Sequence, residues 1–279
     1  MIQSINAPSS LYLWDRRTLY VGEYPEKNPL APGASSLIVG IDGPITITQC
    51  KTNETIEGSS FLISAGVPFV LDTCGQRMSM LYLDPFNEDF FRLKQTMQRK
   101  EGGIFVGNKK ELAFMATMEK ILCQKLTQNE AYCLLDMTVF PTKAESPRQA
   151  KTDPRVVEVI GIIKDDPVSN CTNSTLAKRI NISEVTLQRL FKATTGIPIR
   201  RFRLWHRLFV TATLMASGQC ITDAAGNAGF SDSSHFNHVF KDMLGMSPSS
   251  IIRRTNNMGI YADDATIIRQ LSMARMLTA

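Results

Sequence analysis

Two short stretches hold the side chains with most to offer chemically. ISEVTLQRLFKATTG, Ile182 to Gly196, sets Val185, Thr186, Gln188 and Arg189 within five positions, with Glu184 before them and Lys192 after. GFSDSSHFNHVFKDMLG, Gly229 to Gly245, sets Ser233, Ser234, His235 and His238 in the corresponding places, followed by Lys241. A guanidinium matches guanine O6 and N7, a Gln amide matches adenine, and a Val or Thr methyl suits the thymine methyl. Lysine is suited to phosphate, which positions a protein without reading sequence. Glu184, at a helix start, serves the dipole more readily than a cytosine amine. His235 and His238 stand three apart, but no third ligand joins them, and residues 1–142 contain no histidine at all. Metal catalysis on a front domain would need a cluster of imidazoles, so neither metal nor cofactor is expected. Six scattered cysteines, without a CxxC pair, read as small buried or half-buried apolar groups in a reducing compartment.

For these side chains to act together, each stretch must be a helix held by a fixed neighbour. Superposed on Phe191 and Phe240, 49 residues apart, the stretches bring Leu187 onto Phe236, Lys192 onto Lys241, Gly196 onto Gly245 and Ser183 onto Asp232. Ser183 and Asp232 are suited to cap a helix N-terminus. Leu187, Leu190 and Phe191, like Phe236, Val239 and Phe240, make an i, i+3, i+4 apolar stripe. The glycine five residues after each Phe fits the left-handed position that closes a helix. Upstream lie shorter amphipathic segments, STLAKRI and ITDAAGNA, so each pair is predicted as helix, short turn, helix. Gly226 and Asn227 weaken the first helix of the second pair by about 1 kcal/mol relative to alanine. Between the pairs, IRRFRLWHRLFVTATLMAS predicts one helix over 199–217, about 28 Å long against the ~34 Å of a DNA turn. It offers Phe202, Trp205, Leu208, Phe209 and Ala212 to a core and Arg200, Arg201, Arg203 and Arg207 to phosphates. Ahead of it, Asp153 caps and Pro154 opens a helix predicted to end near Asp166.

From LAKRI through Ser183, LQRLFK, Gly196, Arg207, Ala212, GFSD, FK, Gly245 and SP, the segment from about Leu176 to Arg253 resembles the DNA-binding domain of AraC/XylS-type bacterial transcription regulators. The resemblance implies two helix-turn-helix units joined by a long helix. It also implies base contacts from Val185, Thr186, Gln188, Arg189, Ser233, Ser234, His235 and His238, and phosphate contacts from Lys192, Arg200, Arg201, Arg203 and Lys241. Double-stranded promoter DNA and RNA polymerase would be the partners, most relatives being activators. His238 departs from the pattern, where an Arg is common, which puts base reading by the second unit in doubt.

The elements in front are of another kind. Between Ser36 and Leu83, short β-branched runs cut by Gly, Pro and Asp predict an antiparallel sandwich or barrel. From Asn87 to Asp136, helical spacing through Phe90, Leu93 and Met97, and then from Leu112 to Leu126, predicts two helices over that sheet, the second a candidate dimer seam. The fold class is therefore α+β in two domains. Residues 1–140 form a cupin-like sensor and dimerisation domain, 141–153 a polar linker, 154–254 the all-α double helix-turn-helix domain, and 255–279 a helical extension. An effector pocket on the inner sheet face would use Trp14, Ile38, Ile47, Phe61, Phe69 and Tyr82, which an ordinary packed core would use more readily. No charged group marks a ligand there, so a small-molecule effector has no stated identity.

Charge divides along the same line. Residues 1–142 carry 13 Lys and Arg against 15 Asp and Glu, and residues 143–279 carry 18 against 11, so the polyanion partner belongs to the second half. No apolar run is long enough to span a bilayer and no secretory signal is evident, which places the expected protein in the cytoplasm, as a homodimer and not an enzyme. A cupin-like enzyme with an appended helical interaction module is the alternative, and the missing histidines weigh against it.

Overall fold

The computed structural model describes residues 9–86, 88–140, 152–250 and 258–262. Two sheets face each other in the first half. The larger has eight strands in the order β10 (Met97–Glu101), β11 (Ile104–Asn108), β7 (Ser60–Ile63), β4 (Ser36–Gly40), β9 (Arg77–Tyr82), β2 (Thr18–Glu23), β1 (Ser10–Leu13) and β12 (Gly259–Ala262). The smaller runs β3 (Pro29–Leu30), β8 (Phe69–Asp72), β5 (Ile45–Gln49) and β6 (Thr55–Gly58). Neighbours are antiparallel except β1 and β12, which are parallel with Ser10 opposite Gly259. The expected sandwich is present.

Both faces of the larger sheet are covered, so β4 and β7 are buried at every position, as continuous apolar runs require. One face, with Ile38, Phe61 and Met80, packs on Ile45, Ile47 and Leu71 of the smaller sheet. The other face, with Leu37, Leu62 and Leu81, lies under α1 (Glu88–Lys94), α2 (Glu111–Gln124) and α3 (Gln128–Thr138). The smaller sheet is solvated outside, and β5 alternates buried and half-buried accordingly.

Three helices therefore stand where two were expected, and a hairpin lies between the first and second. Met97 continues the apolar spacing of α1 but opens β10, because Gly102 and Gly103, at φ +56° and +91°, supply the turn that folds Ile104–Asn108 back as β11. The extension also differs from expectation: residues 259–262 are a strand, not helix. Pairing with the otherwise open edge of β1, and Tyr261 stacked on Tyr12 at 4.7 Å, outweighs the helical pattern that begins downstream. The expected helix from Asp263 and most of the linker lie outside the described residues.

The second half is helical: α4 (Pro154–Asp165), α5 (Asn173–Arg179), α6 (Glu184–Thr195), α7 (Ile199–Ala216), α8 (Ile221–Asn227) and α9 (Ser233–Leu244). Asp153 caps α4 through the Arg155 N–H. The first pair, α5 and α6, shares a core with α4 and the start of α7: Val159, Leu176, Leu187, Phe191 and Phe202. The second pair has no core of its own. Ala224, Phe230, Phe236 and Phe240 belong to one apolar cluster with Ile38, Phe61 and Met80 of the sheet.

Candidate nucleic-acid interface

Each recognition helix begins and ends as its residues dictate. Ser183 Oγ accepts the Thr186 N–H at 3.2 Å, and Asp232 Oδ1 accepts the His235 N–H at 2.7 Å. That N–H, with the Ser231 hydroxyl, holds the Asp232 carboxyl below the ordinary range. Gly196 and Gly245 close the helices at φ +82° and +69°. Ala177 and Ala224 are buried at the helix crossings, where a small side chain permits close approach.

The outer faces are open. Val185 is 76% exposed, so its methyl groups are open to a partner. Gln188 and Arg189 are exposed beside it, with Lys192 one turn on. Gln188 Nε2 donates to Glu184 Oε1 at 3.1 Å, so Glu184 holds the amide while the face is unoccupied. Thr186 is half-buried, its hydroxyl 2.8 Å from Ser183 Oγ. On α9, Ser233, Ser234, His238 and Lys241 are exposed. His235 is half-buried, with Nδ1 3.2 Å from Ser231 Oγ and its ring edge-on to Phe230, so it stiffens the turn more than it projects.

The arginines of α7 divide. Arg200 is exposed. Arg201 instead donates to the Ala31 carbonyl and pairs with Asp242 at 3.0 Å. Arg203 donates to the Cys171 carbonyl. Arg207 is buried, giving Nε to Pro167 O at 2.8 Å and Nη2 to Asn170 Oδ1 at 2.9 Å. Burial lowers the pKa of Arg203 and Arg207. Arg201, Arg203 and Arg207 are tied to backbone and carboxylate, and the expectation that they meet phosphate is corrected. One long helix passes both units, so its middle turns face protein on several sides; the sequence shows their charge but not their neighbours.

The front domain also departs from expectation. Ile38, Ile47, Phe61 and Phe69 are fully buried in the core where the two sheets meet. Trp14 lies under the helices on the opposite face. Of the six, Tyr82 alone lines an apolar cavity between the larger sheet and α7 and α9. Sequence spacing could not find it, because half its wall comes from the helical domain. Cysteines were expected buried or half-buried; Cys50 and Cys171 are half-buried, whereas Cys74, Cys123, Cys133 and Cys220 are exposed, and all six are free thiols. No group of three metal-ligating side chains occurs among the described residues.

Residues 176–254 match a family model described as a helix-turn-helix domain. Those residues, within the helical half, form an AraC/XylS-type helix-turn-helix domain. The chain is similar to the Msm operon regulatory protein of Streptococcus mutans serotype c, 28% identical over 47% of this chain and 49% of that one. It is also similar to the transcriptional activator RhaS of Citrobacter koseri, 29% identical over 37% of each. The chain thus spans about half the length, or less, of these curated relatives. Across both domains the fold is that of ToxT from Vibrio cholerae. The apo form gives a TM-score of 0.59 at 15% identity over 88% of this chain and 96% of that one. A form with an unsaturated fatty acid bound gives 0.54 at 13% identity over 88% and 94%. No described helix is long and apolar enough to cross a membrane.

Proposed function

We propose that the protein is a sequence-specific DNA-binding transcription regulator, an activator that contacts RNA polymerase, controlled by its N-terminal domain through self-association and a small-molecule effector. The observation that carries this reading is the pair of capped helices α6 and α9, on either side of the 18-residue α7, each with polar and basic side chains left exposed on its outer face. At about 27 Å, α7 is about 7 Å short of the ~34 Å of one DNA turn, the separation two neighbouring major grooves require. Val185, Gln188 and Arg189 read bases on the first unit; Ser233, Ser234 and His238 meet DNA on the second with less discrimination. Lys192, Arg200 and Lys241 neutralise phosphates. Self-association uses the apolar side chains that α2 and α3 leave exposed, Leu112 at 82% and Met137 at 80%. The protein works by binding, in the cytoplasm where the DNA is.

Genome-wide footprinting of wild type beside Arg189→Ala tests the assignment. Loss of discrimination at one base position, at a cost of about 1–3 kcal/mol with nonspecific binding largely kept, supports base reading. Uniform weakening at every site would move Arg189 to the phosphate set, and indifference to all DNA at low salt would end the reading.

A further inference from the structure

The cavity between the domains measures about 110 Å³, several times the space that one water occupies. Met80 and Tyr82 on β9, Trp205 and Leu208 on α7, Phe240 on α9 and Ile260 on β12 are among the side chains around it. It is therefore built from the sheet, from both the long helix and the second recognition helix, and from the strand that returns after the helix-turn-helix domain.

Its chemistry is specific in what it lacks. No charged side chain of the described residues lines it. On one flank lies a small polar cleft that shares Tyr82 and Trp205 and contains Arg16, Arg17 and Lys164. Each of those cations is already engaged: Arg16 with Asp84 and Glu88, Arg17 with Asp89 and Asp136, Lys164 with Asp15. On another flank a shallow pocket shares Tyr20 and Met258, and the charged residue in it is Glu23. Among the described residues an anionic head group would find carboxylates and no spare cation, and burying a charge without a partner is strongly unfavourable.

The polar resources are neutral. Tyr24 donates its hydroxyl to Leu244 O at 2.9 Å, and Tyr20 donates to Glu23 O at 2.5 Å. Tyr82 is 7% exposed, and no hydrogen bond to its hydroxyl occurs among the described residues. Burial raises its pKa well above the ordinary value, so it remains a neutral donor and acceptor.

We propose that this cavity is a binding site for an uncharged, largely apolar small molecule with a single oxygen for Tyr82, roofed by Trp205 of α7 and closed at one side by β12. The site deepens the reading of the chain as an effector-controlled regulator and rests on that reading only for its consequence, a change in DNA affinity through α7 and α9. ToxT binds an unsaturated fatty acid in one of its structures; the walls here select against a carboxylate.

The test uses the full chain and the neutral dye N-phenyl-1-naphthylamine, displaced by n-decanol or by n-decanoate at pH 7.5. Saturable dye uptake is expected, with decanol displacing at least about ten-fold better than decanoate, because the acid must leave its charge unpaired. Ala212→Phe, which puts a ring into the cavity from α7, is expected to abolish uptake with its thermal midpoint kept. Tyr82→Phe is expected to take up dye normally yet bind decanol several-fold more weakly, since one hydrogen bond is lost. Absence of saturable uptake, unchanged uptake by Ala212→Phe, or decanoate displacing as well as decanol would overturn the assignment. Decanol is also expected to change the affinity for DNA at least three-fold in the wild type, by the differential affinity that linkage demands. Decanol binding without that change overturns the coupling. Failure to bind any DNA overturns the proposed function and leaves the dye result to decide the cavity.

Discussion

At the scale of single residues, the arginines show how little formal charge says about role. Arg189 is exposed on a recognition helix, whereas Arg207, a few turns away, is buried against Pro167 O, Val168 O and Asn170. Arg207 therefore ties α7 to the loop after α4 and keeps the first unit in place. Arg207→Met is expected to destabilise the protein by about 2–3 kcal/mol, because hydrogen bonds from a charged donor are lost and the carbonyls are left without it. The slope of DNA affinity against salt should stay the same in the folded variant, since no phosphate contact is removed. Lys192→Ala should do the reverse, lowering that slope by about one counterion with stability intact. Melts and salt titrations of the two variants separate the roles, and a reduced slope for Arg207→Met would return it to the phosphate set.

At the scale of elements, the helical half was legible because each of its boundaries is set by local chemistry. Ser183, Asp232, Asp153, Gly196 and Gly245 all act where their types predict. Ser183→Ala is expected to cost about 1 kcal/mol. Gly226 lies in α8 with open space around it, so Gly226→Ala should stabilise by about 0.5–1 kcal/mol, read as a rise in the denaturation midpoint. Asp232 adds a pH dependence. Its pKa is held below the unfolded value, so its contribution is complete above about pH 4 and disappears as pH falls through the folded pKa. Amide exchange in α9 should accelerate below that range in wild type but not in Asp232→Asn, which retains an acceptor without a titration. The front half was less legible for the opposite reason. The β10–β11 hairpin depends on a two-glycine turn that interrupts what reads as helical spacing, and β12 depends on an edge 250 residues away in sequence. Leu11 and Thr18 look alike as strand residues, and nothing local says that both border a cavity completed by α7.

At the scale of the whole molecule, the two units that repeat in sequence are not equivalent in stability. The first is packed chiefly on α4 and its own side chains, with Ala65 and Phe86 of the front domain at its margin. The second borrows the sheet's core and is held at the C-terminus of α9 by a loop of the front domain. Tyr24 donates to Leu244 O at 2.9 Å, Asn28 Nδ2 donates to Gly245 O at 3.0 Å, and the Ala31 N–H donates to Asp242 O at 2.9 Å. Those acceptors are the carbonyls that a helix end leaves unsatisfied. Gly245 is doubly constrained, because a Cβ there would meet the Tyr24 hydroxyl. A front domain that shifts therefore disturbs α9 through three hydrogen bonds, and α6 through the apolar contact of Ala65 at its C-terminal end. Tyr24→Phe removes one donor from the half-buried Leu244 O, a loss of about 1 kcal/mol, and Asn28→Ala removes a second. Hydrogen exchange should report the sum as faster opening of α8 and α9, with α5 and α6 unchanged, since sub-global opening follows the contacts each unit depends on. Equal acceleration in both units would mean that the helical half opens as one body. The second unit would then be as independent of the sheet as the first, and control of DNA binding through α9 would lose its physical route.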